Sequence, residues 1–222
     1  MPPPFYRLML ITALNDAPIA PYLSFIHTCA KAGITSVQLR EKNQDQPFLI
    51  EFGKALQKIL APYSIPLIVN DDVSLALKLG AAGVHVGQTD MPPKEARRHL
   101  GPHKIIGLSI NTFADLEHAN TLQEGPTYVT ANGVFPSPNK QIKNPWGLNG
   151  LAALSPLSRY PLTAIGGITL NTLQPVITAG AKGVAVISAL HVPNPTPVVQ
   201  QFLNAMKEIP HAQSTQTCCF TP

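Results

Sequence analysis

Short apolar runs alternate along this chain with longer stretches in which apolar side chains recur every three or four positions. The short runs predict strands over Arg7–Thr12, Ser36–Arg40, Pro66–Val69, Gly83–Val86, Ile105–Ser109, Tyr128–Val134, Leu162–Ile165 and Gly183–Ile187. The stretches between them predict helices, as where Leu49, Phe52, Leu56 and Leu60 fall on one face. Strands that alternate with helices imply parallel pairing through βα crossovers. Eight such units in about 190 residues suit a closed (β/α)8 TIM barrel of the α/β class better than an open doubly wound sheet. Small residues gather before several predicted strands, at Ala32-Gly33, Gly80–Gly83 and Ala179–Gly183, where glycine supplies a left-handed helix cap. The pattern assigns residues 1–209 to one barrel domain. The stretch HAQSTQTCCFTP lacks periodicity, so residues 210–222 read as a flexible tail.

The length of 222 residues is close to that of a single barrel domain, and a 45% hydrophobic content suffices for its core. Only 13% of residues are charged, and the net charge of +4 includes no run of Lys and Arg. Nothing therefore points to nucleic acid, whereas a local basic site for an anionic substrate accounts for part of the excess. No apolar stretch is long enough to span a membrane, and MPPPFYRLMLITAL is too short and too proline-rich for a signal peptide. Cys29, Cys218 and Cys219 follow neither a disulfide nor a zinc pattern, which suits a reducing, cytoplasmic setting. A homo-oligomer is compatible with all of this.

In a barrel of this kind the active site lies at the C-terminal ends of the strands. Unusual polar residues collect there. Gln38, Arg40 and Lys42 lie two apart and share one face of an extended chain; at the barrel mouth they would suit a phosphate or pyrophosphate. Asn70-Asp71 follows the third strand and Asp90 the fourth, which brings two carboxylates within reach of one cation, magnesium by preference. Asn70 and Asp71 would equally suit a helix N-cap. Ser109 ends the fifth strand and can reach a substrate, while His85, inside the fourth, reads as a core histidine. Phe135–Gly147 is the longest irregular connection, and it carries Ser137, Pro138, Asn139 and Lys140. Gly166-Gly167 and Ile187-Ser188 end the seventh and eighth strands, the usual place for a backbone phosphate site.

In that order the motifs QLREK (Gln38–Lys42), ND (Asn70-Asp71), GVHVGQTD (Gly83–Asp90), GLS (Gly107–Ser109), FPSPNK, AIGGI (Ala164–Ile168) and GVAVISA (Gly183–Ala189) resemble the thiamine phosphate synthase family. The resemblance implies a magnesium-dependent transferase of thiamine biosynthesis. Its substrates would be a pyrimidine diphosphate, 4-amino-2-methyl-5-(diphosphooxymethyl)pyrimidine, and a thiazole phosphate; its products would be thiamine phosphate and pyrophosphate. It also implies that Gln38, Leu39, Arg40, Glu41, Lys42, Asn70, Ser109 and Lys140 contact the pyrimidine diphosphate. Of these, Arg40, Lys42, Ser109 and Lys140 would be catalytic. Asp71 and Asp90 would hold Mg2+, and Ser137, Pro138, Asn139, Gly167, Ile187 and Ser188 would hold the thiazole phosphate. The chain departs from the family where Ser137-Pro138-Asn139-Lys140 replaces Thr-x-Thr-Lys, where Asn132-Gly133 replaces Gly-Pro, and at Thr12-Ala13. A thiazole tautomerase of the same fold, or a non-catalytic barrel that binds a thiamine precursor, are the alternative readings.

Overall fold

The computed structural model describes residues 4–15, 17–136 and 144–207. Eight strands form the barrel: β1 (Leu8–Ile11), β2 (Ser36–Leu39), β3 (Leu67–Asn70), β4 (Gly83–Val86), β5 (Ile105–Ile110), β6 (Tyr128–Asn132), β7 (Leu162–Ile165) and β8 (Gly183–Val186). Each pairs in parallel with the next, and β8 closes on β1. The helices α1 (Ile19–Ala32), α2 (Gln46–Leu60), α3 (Val73–Leu79), α4 (Pro93–Leu100), α5 (Phe113–Thr121), α6 (Gly147–Leu154), α7 (Leu170–Thr178) and α8 (Pro195–Ala205) alternate with them. The expected α/β single-domain barrel is thus the observed one. The segment read as a tail, with Cys218 and Cys219, lies outside the described residues.

Strand alternation divides the core into two layers. Side chains such as Val37, Leu39, Val69 and Val84 point outward and meet the helices, while Met9, Ile11, Ile68, Tyr128 and Ala185 fill the barrel itself. The α2 periodicity buries Phe52, Leu56 and Leu60 against the outer layer. Each such side chain contributes roughly 1.5–3 kcal/mol by leaving water. Asp45 starts α2 by accepting the Phe48 N–H at 2.9 Å, and Thr112 with Asp115 forms a capping box on α5. Gly33 and Gly80 end α1 and α3 in the left-handed conformation that the small-residue clusters predict.

Register then sets what the mouth contains. Asn70 stands beside His85, His85 beside Gly107, and Gly107 beside Tyr128. One step nearer the mouth, Ser109 stands beside Thr130 and Thr130 beside Thr163. Short strands and long βα loops leave the interior open above this row.

Candidate active site

A cavity of about 720 Å³ opens at the C-terminal ends of the strands. One wall is ionic. Arg40 and Lys42 come from the end of β2, Asn70 and Asp71 from β3, and Asp90 from the loop after β4. Four strands further round the ring, Gly166, Gly167, Ile187 and Ser188 supply the opposite wall from the ends of β7 and β8. Ser109 and Gln38 form the floor between the two walls.

The acidic pair has no capping duty. Asp72, not Asn70 or Asp71, caps α3 and accepts the Leu75 N–H at 2.9 Å. Asp71 turns toward the cavity with φ at 64°, a left-handed conformation that Asp tolerates better than most residues, and its N–H is held by the His85 carbonyl at 2.8 Å. Lys42 Nζ stands 3.8 Å from Asp71 Oδ2. The Asp71 carboxyl is pushed above the ordinary carboxylate range, first by burial and then by the adjacent Asp90 carboxylate, with Lys42 acting in the opposite sense. Asp90 Oδ2 also accepts the Gly87 N–H at 2.7 Å, so the loop after β4 holds it in place.

These two carboxylates fit a divalent cation. Like charges forced together raise each other's cost of ionisation, and a bound cation removes that cost. Among the described residues no cluster of three or more His, Cys, Asp or Glu side chains gathers. A cation here would therefore complete its shell with substrate oxygens and water, the habit of magnesium at phosphate sites.

The opposite wall is made of closely packed backbone. Gly167 has φ at 62°, and a Cβ there would lie 2.6 Å from the Pro136 carbonyl oxygen. Only a residue without a side chain lets the strand end pass so close to the loop from β6. The backbone N–H groups of Gly167 and Ser188 have no acceptor among the described residues.

The floor carries a buried polar row. His85 bridges Tyr128 Oη at 2.9 Å and Ser109 Oγ at 2.9 Å. Burial lowers the His85 pKa to about 4, so the ring is neutral near pH 7. The core reading of His85 holds for its burial, but His85 also lines the cavity and bonds Ser109 there. Gln88 Nε2 donates to the Ser109 carbonyl at 2.6 Å. Further round, Thr130 and Thr163 hydroxyls meet at 2.7 Å, and Asn132 Nδ2 donates to Asn111 Oδ1 at 2.9 Å.

The structure brings Gln38, Arg40, Lys42, Asn70, Asp71, Asp90, Ser109, Gly167, Ile187 and Ser188 to one cavity. It does not bring Leu39 or Glu41 there. Leu39 is buried on the opposite face of β2, among the outer-layer side chains. Glu41 turns away to accept the Leu14 N–H with both carboxylate oxygens at 3.0 Å, tying the loops after β1 and β2 together. Ser137, Pro138, Asn139 and Lys140 lie outside the described residues. The flanks of their loop are anchored: Pro136 lines the cavity, and Trp146 donates its backbone N–H to the Gly133 carbonyl at 3.0 Å. Asn111, Thr130 and Asn132 line the cavity without having been singled out as ligands. The period-two rule that selects Gln38 and Arg40 also selects Thr130 and Asn132, so that signal was present.

Comparison with known proteins agrees with this geometry. A family profile described as thiamine monophosphate synthase matches residues 8–190. The thiamine-phosphate synthase of Chlamydia caviae is 44% identical over 188 residues, covering 84% of this chain and 88% of that protein. Its counterpart in Vibrio parahaemolyticus is 38% identical over 204 residues, covering 90% and 98%. Among solved structures, the thiamine phosphate pyrophosphorylase from Pyrococcus furiosus superposes with a TM-score of 0.80 at 29% identity, covering 92% of this chain and 96% of that one.

Proposed function

The chain belongs to the thiamine monophosphate synthase family, whose transferase activity in thiamine biosynthesis it shares, and we propose that its two cavity walls divide the two substrates of that reaction between them. The ionic wall takes the pyrimidine diphosphate. The β7–β8 wall takes the phosphate of the thiazole. The observation that supports this reading is that Arg40 and Lys42 from the end of β2 line the same cavity as the glycine and serine backbone at the ends of β7 and β8.

In the proposed reaction the bond between the pyrimidine methylene carbon and the diphosphate oxygen breaks, with both electrons leaving on pyrophosphate. The thiazole nitrogen then donates its pair to the methylene carbon. Negative charge grows on the departing oxygen, and Arg40, Lys42 and Lys140 are the groups that would offset it. Arg40 presents a planar fork suited to bidentate contact, and Lys42 and Lys140 act as point charges. Asp71 and Asp90 would hold Mg2+, which supplies charge neutralisation on the diphosphate when bound. Gln38, Asn70 and Ser109 orient the pyrimidine and its first phosphate. Gly167, Ile187 and Ser188, with Ser137, Pro138 and Asn139, hold the thiazole phosphate. No side-chain nucleophile is required, because the attacking pair belongs to the thiazole.

Among the described residues no helix is long and apolar enough to cross a membrane. Cys29, a buried unpaired thiol, suits a reducing compartment such as the cytoplasm. The testing experiment follows thiamine phosphate formation from both substrates with magnesium and with excess chelator. Product formed only with both substrates and the metal is the expected result; undiminished turnover in chelator overturns the metal assignment, and no product under any condition overturns the reading.

A further inference from the structure

We propose that Tyr128 and His85 form a buried hydrogen-bond relay of fixed polarity, which turns the Ser109 hydroxyl into a donor aimed at the cavity. Both are positioning residues, since they act through Ser109. The consequence for turnover rests on the proposed function, in which Ser109 meets substrate; the polarity itself does not.

The relay exists because one side chain is missing. His85 on β4 and Tyr128 on β6 flank Gly107 on the strand between them. A Cβ at Gly107 would lie 2.2 Å from His85 Nδ1 and 2.5 Å from Tyr128 Oη. Its absence lets the two rings bond at 2.9 Å across an intervening strand. Ser109, two residues beyond Gly107 on the same face, receives the other ring nitrogen at 2.9 Å.

The polarity follows from counting donors and acceptors. Tyr128 is 0% exposed, so its single hydroxyl proton must find a partner within the protein. Two acceptors are in reach: His85 Nδ1 at 2.9 Å and the Met9 sulfur at 3.9 Å. A thioether is a weak acceptor and an imidazole nitrogen a good one. The Met9 sulfur already receives the Gln38 amide at 3.6 Å, which makes it a poorer partner still for the tyrosine proton. If His85 carried its proton on Nδ1, the tyrosine oxygen would accept from the ring while its own proton was left to the sulfur 3.9 Å away. Ser109 would then donate inward to Nε2 and have nothing to offer a ligand. With the proton on Nε2 every group is satisfied: Tyr128 donates to Nδ1, Nε2–H donates to Ser109, and the serine proton is free for the cavity. The ligand atom at that point is therefore an acceptor, either a phosphate oxygen or a ring nitrogen.

The test is the tautomer. In the full chain labelled with 15N-histidine, long-range 15N–1H correlation should find His85 protonated at Nε2; protonation at Nδ1 overturns the relay, and this reading needs no variant to fold. Tyr128→Phe should give a mixed tautomer and lower kcat/KM for the pyrimidine diphosphate roughly 3- to 10-fold, the value of one hydrogen bond. His85→Gln, which keeps a donor, should recover part of what His85→Leu loses. Binding of inorganic pyrophosphate and of the pyrimidine alcohol to Tyr128→Phe separates the two acceptors: weakening of one identifies it, and weakening of neither overturns the proposal. Wild-type protein that shows the Nε2–H tautomer but makes no thiamine phosphate would overturn the functional reading and leave the relay standing.

Discussion

Asp71 and Asp90 hold their carboxylates against each other at the ends of adjacent strands, and burial, reinforced by Asp90, raises the Asp71 pKa even though Lys42 stands 3.8 Å away. Proximity of like charges has a cost, which the proposed cation would remove. Asp90 has a second task, because its Oδ2 accepts the Gly87 N–H at 2.7 Å.

Asp71→Asn should therefore leave the thermal midpoint of the metal-free protein unchanged or slightly raised, while turnover falls by about two orders of magnitude or more. Asp90→Asn should behave alike, since its amide oxygen can still accept from Gly87. Asp90→Ala should in addition lose about 1 kcal/mol of stability with that hydrogen bond. Calorimetry beside a magnesium titration of activity checks both; an Asp71→Asn protein of normal activity would exclude the metal role.

Arg40→Ala should cost about 2–4 kcal/mol of transition-state stabilisation, and Lys140→Ala a similar amount. Arg40→Lys should recover only part of this, because an ammonium cannot reproduce the planar two-point contact. The Arg40 backbone is fixed independently by the Thr12 hydroxyl at 2.9 Å, so the substitution acts on the side chain alone. The measurement is kcat/KM for the pyrimidine diphosphate, and an Arg40→Lys enzyme equal to wild type would reject bidentate binding.

Gly167→Ala places a Cβ 2.6 Å from the Pro136 carbonyl and 2.8 Å from Phe135 Cβ, at a φ of 62° that disfavours any side chain. The strand end or the loop must shift. The Michaelis constant for thiazole phosphate should rise about tenfold or more, that for the pyrimidine diphosphate should change little, and stability should fall by about 1–3 kcal/mol. Steady-state kinetics with each substrate varied in turn decides this; equal effects on both constants would contradict the division of the walls.

Stability should fall on mild acidification. His85 titrates near 6.5 when unfolded but at about 4 in the folded barrel. Between those values the unfolded chain binds a proton that the folded one refuses, so stability is full above about pH 6.5 and declines as pH drops toward 4, by up to about 3 kcal/mol. The half-buried His191 is shifted in the same direction by burial and adds to the effect. Asp71, shifted upward, works against it at the acid end. Denaturant melts from pH 7 to pH 4.5 on wild type and His85→Gln should show the flatter profile in the variant; identical profiles would remove His85 as the source.

Much of this was legible in the chain itself. The period of two in the strands and of three to four in the helices is a local property, so eight units and their ends could be placed to within a residue or two. The same alternation put Gln38 and Arg40 on the inner face, and it also explains why Leu39 and Glu41, of opposite parity, face away. Family resemblance carried these two along with the motif, although parity alone would have set them apart. Other outcomes lay beyond local rules. That Asp72 and not Asp71 caps α3 depends on one backbone angle at the strand end. That His85 reaches Tyr128 depends on the register of three strands and on the space left by Gly107. The β7–β8 wall opposite Asp71 depends on β8 closing against β1. Side-chain direction along a strand is set by neighbouring residues. Distances between groups some 20 to 150 positions apart are set by how the barrel closes, and only the closed barrel made one cavity of them.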